Sequence, residues 1–180
     1  MTFPAKKQTL PDNRFIPDTT NHRLLRNALG CFGTGVTIVT AASQEGPAAI
    51  TANSFSSVSL TPPLVLWSLG KHGSRYKAFT EAEHYSIHVL NTQQKALCME
   101  VAGDATYLRG KNVATNDFNV PILDDALTRF DCKREAIYDA GDHVIILGRV
   151  LTATHPDTAE PLVFYRGNIG TFSSPCDTAA

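Results

Sequence analysis

The chain has 180 residues with 16 basic and 17 acidic side chains, a formal net charge of -1, and a composition 43% hydrophobic and 18% charged. Such figures describe one globular domain able to bury roughly 70% of the surface its unfolded chain exposes, and they exclude a global field drawing it to nucleic acid or to an anionic membrane. No apolar run nears the about 20 residues that cross a bilayer, and "MTFPAKKQTLPDNRF" lacks the apolar core of a signal peptide, so a cytoplasmic protein with no membrane or nucleic-acid partner is expected.

Cys31, Cys98, Cys132 and Cys176 are scattered without a CxxC pair. That fits reduced thiols better than a disulfide framework, and Cys31, beside Phe32 on an apolar helical stretch, reads as packing. Residues 1–20 carry three prolines and little periodicity and read as an arm; residues 21–172 form the domain and 173–180 a tail.

Leu24, Leu25, Ala28, Leu29 and Phe32 recur at helical spacing, with Thr20 or Asn21 as N-cap and Gly33 or Gly35 as a stop, so an amphipathic helix covering some apolar surface is predicted. "GVTIVTAA" reads as a strand, "SQEGP" as its turn, "AAITANSF" as a second strand, and "LVLWSL", after Pro62 and Pro63, as a third. "GSRYKAFTEA" predicts a short helix, "HYSIHVL" a strand and "TQQKALCMEVAG" another helix, whereas residues 103–121 show no usable period. Two long strands, "LTRFDCKREAIYDA" and "DHVIILGRVLTATH", meet at the tight Gly141–Asp142 turn and predict an antiparallel hairpin. "PLVFYRG" closes the pattern as a short strand. Many short strands, three helices and no βαβ alternation point to an antiparallel barrel with helices packed outside.

His84 and His88 imitate half of a metal motif. Tyr85, Ile87 and Val89 alternate with polar positions, however, so the segment is a strand. Four residues of strand span about 13 Å, too far for two imidazoles to share a zinc that needs each at about 2.0 Å. No HExxH, no P-loop, no GxGxxG and no G-x-S-x-G occurs, and the GTG at 33–35 is too short to count. No metal site is expected.

The richest stretch chemically is "TANSFSSVS", where Thr51, Asn53, Ser54, Ser56, Ser57 and Ser59 crowd together. Part of this is the ordinary alternation of a half-solvated strand. Part of it suits a polar, hydrogen-bonding ligand. One strand later, Lys71, His72, Ser74 and Arg75 sit at the predicted start of a helix, a combination that suits phosphate oxygens as well as a solvated basic turn. Neighbouring strands lie about 4.8 Å apart, close enough for both loops to meet one ligand.

Five blocks in order, "GCFGTGVTIVT", "ITANSFSSVSLTPPLVLWSL", "YSIHVLNTQQKAL", "GDHVIILGRV" and "PLVFYRGNIG", resemble the flavin reductase family, the small partners of two-component flavin monooxygenases, over residues 22–171. The resemblance implies a mainly β chain with flanking helices, built as a six-stranded antiparallel Greek-key split β-barrel that binds FMN or FAD near a homodimer interface. It implies hydride transfer from NADH or NADPH to the flavin, which then serves a separate flavin-dependent monooxygenase. By the same resemblance Thr34, Val36, Thr51, Ala52, Asn53, Ser54, Phe55 and Ser57 line the ring and ribityl chain, and Ser68, Lys71, Ser74 and Arg75 take the phosphate. His143 matches the family histidine on the nicotinamide side, expected to position by donating a hydrogen bond, against a plain solvated turn histidine; Tyr165, Arg166, Gly167 and Asn168 match the dinucleotide contact. The sequence departs from the family in two places: the Asp-Lys-Phe element that follows a helix in many relatives is missing from "VAGDATYLRGKNVATNDFNV", where Lys111 is a weak stand-in, and bulky Tyr76 stands near a position where relatives often carry a small residue. A flavin-binding electron carrier without nicotinamide turnover is the alternative from another class.

Overall fold

The computed structural model describes residues 14–155 and 160–172, so the predicted tail, Cys176 and most of the predicted arm lie outside the described residues. Helix α1 (His22–Leu29) leads into strands β1 (Thr34–Gly35), β2 (Thr37–Ser43), β3 (Gly46–Ala52), β4 (Ser56–Leu60) and β5 (Pro63–Gly70). Helix α2 (Tyr76–Glu81), strand β6 (His84–Val89), a 3-10 turn (Thr92–Gln94) and helix α3 (Lys95–Gly103) follow. Strands β7 (Thr128–Ala140), β8 (His143–Thr154), β9 (Leu162–Tyr165) and β10 (Asn168–Thr171) complete the fold.

Every strand pairing is antiparallel. Seven strands form one sheet in the order β3-β2-β6-β7-β8-β5-β4, and β1-β9-β10 form a second. The expected six-stranded split barrel is therefore corrected to a seven-stranded sheet whose edges β3 and β4 are not paired with each other. The extra strand is β4, "SSVSL", whose only apolar side chains, Val58 and Leu60, are both exposed. It carries no apolar period and is held by its ladder to β5.

The sheet cannot be flat. Laid out at strand spacing, seven strands are about 29 Å wide, yet Ala52 on one edge and Ser56 on the other are joined by a chain reaching at most about 15 Å. The sheet therefore curls until its edges approach at Asn53–Phe55. Inside the curl, Val65, Trp67 and Leu69 of β5 pack with Ile87, Val144 and Ile146, and Phe79 of α2 plugs one end. Trp67 meets Phe79 and Tyr85 edge-on, at centroid distances of 5.3 and 5.9 Å, contacts worth about 0.5–1.5 kcal/mol each beyond burial.

Strand β2 is buried on both faces, Thr37 through Ala41, which is why it reads as a near-continuous apolar run. Its outer face meets a second cluster in which Val36, Ile38 and Leu90 pack with Cys98 and Val101 of α3. The α3 entry is fixed by a reciprocal cap: Asn91 accepts from the Gln93 N–H, and Gln94 Oε1 accepts from the Asn91 N–H.

His84 and His88 both lie on β6, as the alternation predicts. His88 is wholly buried; Leu123 donates its N–H to Nε2 at 3.1 Å, so Nδ1 carries the proton and donates to the Ile38 carbonyl at 3.1 Å. Burial lowers its pKa to about 4. His84 stacks on Phe118 at 4.8 Å. The final strand pair is longer than predicted, because after β9 the two-residue Arg166–Gly167 loop, with φ of 49° and 80°, turns the chain back as β10. No described helix is long and apolar enough to cross a membrane.

Candidate functional site

Where the sheet edges approach, the Asn53–Phe55 bend, the loop from α1 into β1 and the β9–β10 turn surround an open cleft of about 1610 Å³. It gathers Thr34, Asn53, Ser54, Phe55, Arg166 and Gly167 of the sequence-predicted site. Ser54 is the hinge of the bend: its Oγ accepts the Ser68 N–H at 2.9 Å and donates to the Ser68 carbonyl at 3.3 Å, so its hydroxyl extends the β5 ladder. Ser68 thus holds the cleft wall without lining it. Phe55 stacks on Phe130 at 5.7 Å and anchors the bend to the inner core.

The Thr34 hydroxyl is buried and has no hydrogen-bond partner among the described residues. A buried hydroxyl left unsatisfied costs about 1–3 kcal/mol, and one on a cleft wall is a donor and acceptor prepared for a ligand. Arg166, forced to positive φ by the tight turn, donates its N–H to the Gly30 carbonyl at 2.8 Å, and its guanidinium lies 5.3 Å from the Tyr165 ring centroid. A Cβ at Gly30 would press on the Arg26 carbonyl and stand in ordinary contact with the Asn27 carbonyl and the Arg166 Cα. A hydrogen bond with Cys31 and its charge hold the Arg166 pKa above its ordinary value.

Other predicted residues lie elsewhere. Val36 is buried in the outer core, and Thr51 donates to the Cys98 carbonyl at 3.0 Å, turning its hydroxyl toward α3. Ala52 accepts from the Thr37 hydroxyl at 2.7 Å, and Ser57 is exposed opposite Val65. Lys71 donates to Asp139 and to the Gly141 carbonyl, both at 2.6 Å. Ser74 and Arg75 line a separate pocket of about 390 Å³ between α2, the β2–β3 turn and the residues after α3. There Arg75 donates to the Val101 carbonyl at 2.6 Å, while its Nε is buried without a partner among the described residues. Burial lowers the Arg75 pKa, with Asp104 opposing.

His143 opposes Gly70 across the β5–β8 ladder, and its Nδ1 lies 2.7 Å from Asp142 Oδ1. Asn168 donates its side-chain amide to the Arg166 carbonyl at 3.2 Å and is exposed with Tyr165. Lys111 sits 3.1 Å over the Tyr107 ring, and Tyr76 packs against the inner core. Cys31 is corrected from packing residue to cleft residue: it is exposed and borders the cleft with Arg26, Asn27 and Phe164, which the sequence reading missed. The block "GCFGTG" was the available signal, because it forms the loop that meets the β9–β10 turn through the Arg166 N–H and the Gly30 carbonyl.

A curled antiparallel sheet with a hydroxyl- and amide-lined cleft at its open seam defines a small-ligand-binding β domain. The chain belongs to the flavin reductase like domain family, which matches residues 29–173. It is 50% identical over 159 residues to an Agrobacterium fabrum protein named FMN reductase (NADH) SmoA, covering 88% of this chain and 91% of that one. Identity is 32% over 157 residues to the Rhodococcus jostii flavin-dependent monooxygenase reductase subunit HsaB, covering 87% and 80%. Among solved structures, the Streptomyces globisporus NADH:FAD oxidoreductase SgcE6, in complex with NAD and FAD fragments, superposes with a TM-score of 0.82 at 32% identity, covering 91% of this chain and 100% of that one.

Proposed function

We propose that this protein is an NADH-dependent flavin reductase that passes a hydride from NADH to FMN or FAD and supplies the reduced flavin to a separate monooxygenase. The observation that carries the reading is the unsatisfied Thr34 hydroxyl in the same cleft as the Asn53–Phe55 bend. In a site of this kind the flavin supplies the redox chemistry, and the protein supplies binding, orientation and electrostatics. Thr34, Asn53, Ser54 and Phe55 hold the ring and ribityl chain. Arg166 and Gly167 form the dinucleotide wall. For Ser74 and Arg75, which line the separate smaller pocket, the phosphate role rests on the family resemblance. Lys71 is left out of the phosphate set because its ammonium donates to Asp139 and to the Gly141 carbonyl at the β7–β8 turn.

The curled sheet is read as a split barrel whose seam is the cleft. A second copy of the chain closes that seam, since the outer face of β5 and β8 presents half-buried Leu64, Leu66, Ile145 and Leu147, and the helices pack elsewhere. Free thiols at Cys31, Cys98 and Cys132 agree with a reducing, cytoplasmic setting. Mixing purified protein with NADH and excess FMN or FAD should abolish the reduced-nicotinamide absorbance. Tight flavin binding with no such loss from either dinucleotide would overturn the reading in favour of an electron carrier.

A further inference from the structure

We infer that Ser54 is a positioning residue of the flavin site: its hydroxyl latches the Asn53–Phe55 bend to Ser68 in place of a main-chain pair, so that the main chain of the bend stays free to meet the ligand. Resting on the reductase reading above, this gives the Ser54 hydroxyl the task of holding the cleft wall rather than of touching flavin.

Strand β4 begins with Ser56 paired to Leu66, and the same register stepped back by two residues sets Ser54 opposite Ser68. In a hydrogen-bonded antiparallel pair the two residues exchange both main-chain bonds. Here the Ser54 side chain supplies both instead, accepting the Ser68 N–H at 2.9 Å and donating to the Ser68 carbonyl at 3.3 Å. Ser68 is thereby satisfied, and the Ser54 main chain is not used by β5. Among the described residues, no main-chain N–H of Asn53, Ser54 or Phe55 donates to a protein acceptor. A hydroxyl has one proton, and that proton is committed to Ser68, so the Ser54 side chain has nothing left to donate to a ligand.

The bend is held on both sides of the seam. On the β3 side the Thr37 hydroxyl donates to the Ala52 carbonyl at 2.7 Å, and past Ser54 the Phe55 ring stacks on Phe130 at 5.7 Å. Between these two holds, Ser54 ties the bend to β5. A hydroxyl bridging a strand end is ordinary support for a fold, but this strand end is a cleft wall: Asn53, Ser54 and Phe55 all line the cleft, as does Thr34 with its unsatisfied hydroxyl. Donors must stand within about 3 Å of their acceptor. Loosening the latch therefore displaces unpaired N–H groups where the ligand sits.

Amide exchange in the flavin-free protein reads the latch directly. Ser54→Ala leaves the Ser68 N–H without its acceptor, so that amide should exchange about tenfold faster or more, while the β5–β8 ladder keeps its protection; an unchanged Ser68 amide overturns the inference. Saturating the wild type with FMN should slow exchange at Asn53, Ser54 and Phe55, and amides as open as in the free protein would overturn it too. Ser54→Ala should weaken riboflavin, FMN and FAD alike by about tenfold in Kd, the size of one net hydrogen bond, because the ring they share is what the bend meets. A loss for FMN that riboflavin escapes would move Ser54 to the phosphate, and a fall in Tm with Kd unmoved would reduce the hydroxyl to fold support; either result overturns the inference. Ser54→Thr, which keeps the hydroxyl, should restore most of the affinity, and Ser54→Cys, a weak donor, should not. That pair decides the matter if the alanine variant does not fold, and equal losses in both count against the latch. A wild type that binds flavin yet leaves NADH unconsumed would sink the reductase reading alone, with the exchange and affinity measurements still deciding the role of Ser54.

Discussion

Two buried residues show how single side chains set the fold's tolerance. Tyr85 is 1% exposed, its hydroxyl has no hydrogen-bond partner among the described residues, and burial pushes its pKa far above that of an ordinary phenol. That hydroxyl occupies the space a Cβ on Gly148 would need. Gly148→Ala should therefore destabilise by about 1–3 kcal/mol through overpacking, measured by urea unfolding. Tyr85→Phe, which deletes the unsatisfied hydroxyl, should be neutral or stabilising and should recover part of the Gly148→Ala loss; simple additivity in the double variant would refute the overlap. Asp131 gives the pH dependence. It is 3% exposed, and burial alone would raise its carboxyl pKa, but hydrogen bonds from Ser86, Asn116 and Thr152 together with Arg129 lower it instead. A carboxyl depressed in the folded state contributes stability above its unfolded pKa of about 3.9 and loses it as pH falls through the folded value. Asp131→Asn should cost about 1–3 kcal/mol at neutral pH and flatten the decline of Tm with acid below about pH 4. A variant whose acid decline matches the wild type would show that another carboxylate governs it.

At the scale of elements, the cap at Asn91, which opens the 3-10 turn leading into α3, is the part most open to a direct test. Asn91 also donates to the Asp125 carbonyl at 2.6 Å, and Gln94 donates to the Asp124 carbonyl at 3.0 Å, so one cap fastens both the helix and the loop before β7. Asn91→Ala should lower stability by about 1–2 kcal/mol and speed amide exchange at 122–127; protection left unchanged there would confine the cap to the helix. The same scale shows what the sequence could reveal. β6, α3 and the β7–β8 hairpin were legible because alternation, helical spacing and a Gly-Asp turn each act within one segment. β4 and β10 were not, since all their side chains but the half-buried Ile169 are polar, exposed or absent, and the ladder to a neighbour is what makes them strands. The helical spacing of α1 was legible, but the surface it was expected to cover is not found among the described residues: none of the residues of α1 is buried. In the cleft, Thr34, the Asn53–Phe55 bend and Arg166–Gly167 stood in recognisable blocks, whereas Cys31, Arg26 and Phe164 joined them only through tertiary approach. The contact of Lys71 with Asp139, 68 residues away, could not be read from the sequence.

For the whole molecule, α1 is the least explained feature of a lone chain. Leu24, Leu29 and Phe32 are 52%, 67% and 77% exposed on one side of the cleft, an arrangement that isolated subunits avoid and interfaces use. The proposed second copy would cover them and narrow a cleft whose volume exceeds the about 300–1,000 Å³ of ordinary ligand sites. In a twofold dimer each interface residue is used twice. Leu24 does not line the cleft, so Leu24→Glu tests association apart from direct flavin contact. Losing about 1.5 kcal/mol of burial at each of two symmetric positions, about 3 kcal/mol in all, corresponds to a dimer roughly 100-fold weaker. Sedimentation at micromolar concentration should then show the variant at monomer mass with an unchanged circular dichroism spectrum, and flavin affinity should fall with the lost wall. A variant that keeps the wild-type mass would remove α1 from the interface, and a wild type that sediments as a monomer would mean that each chain must close its cleft unaided.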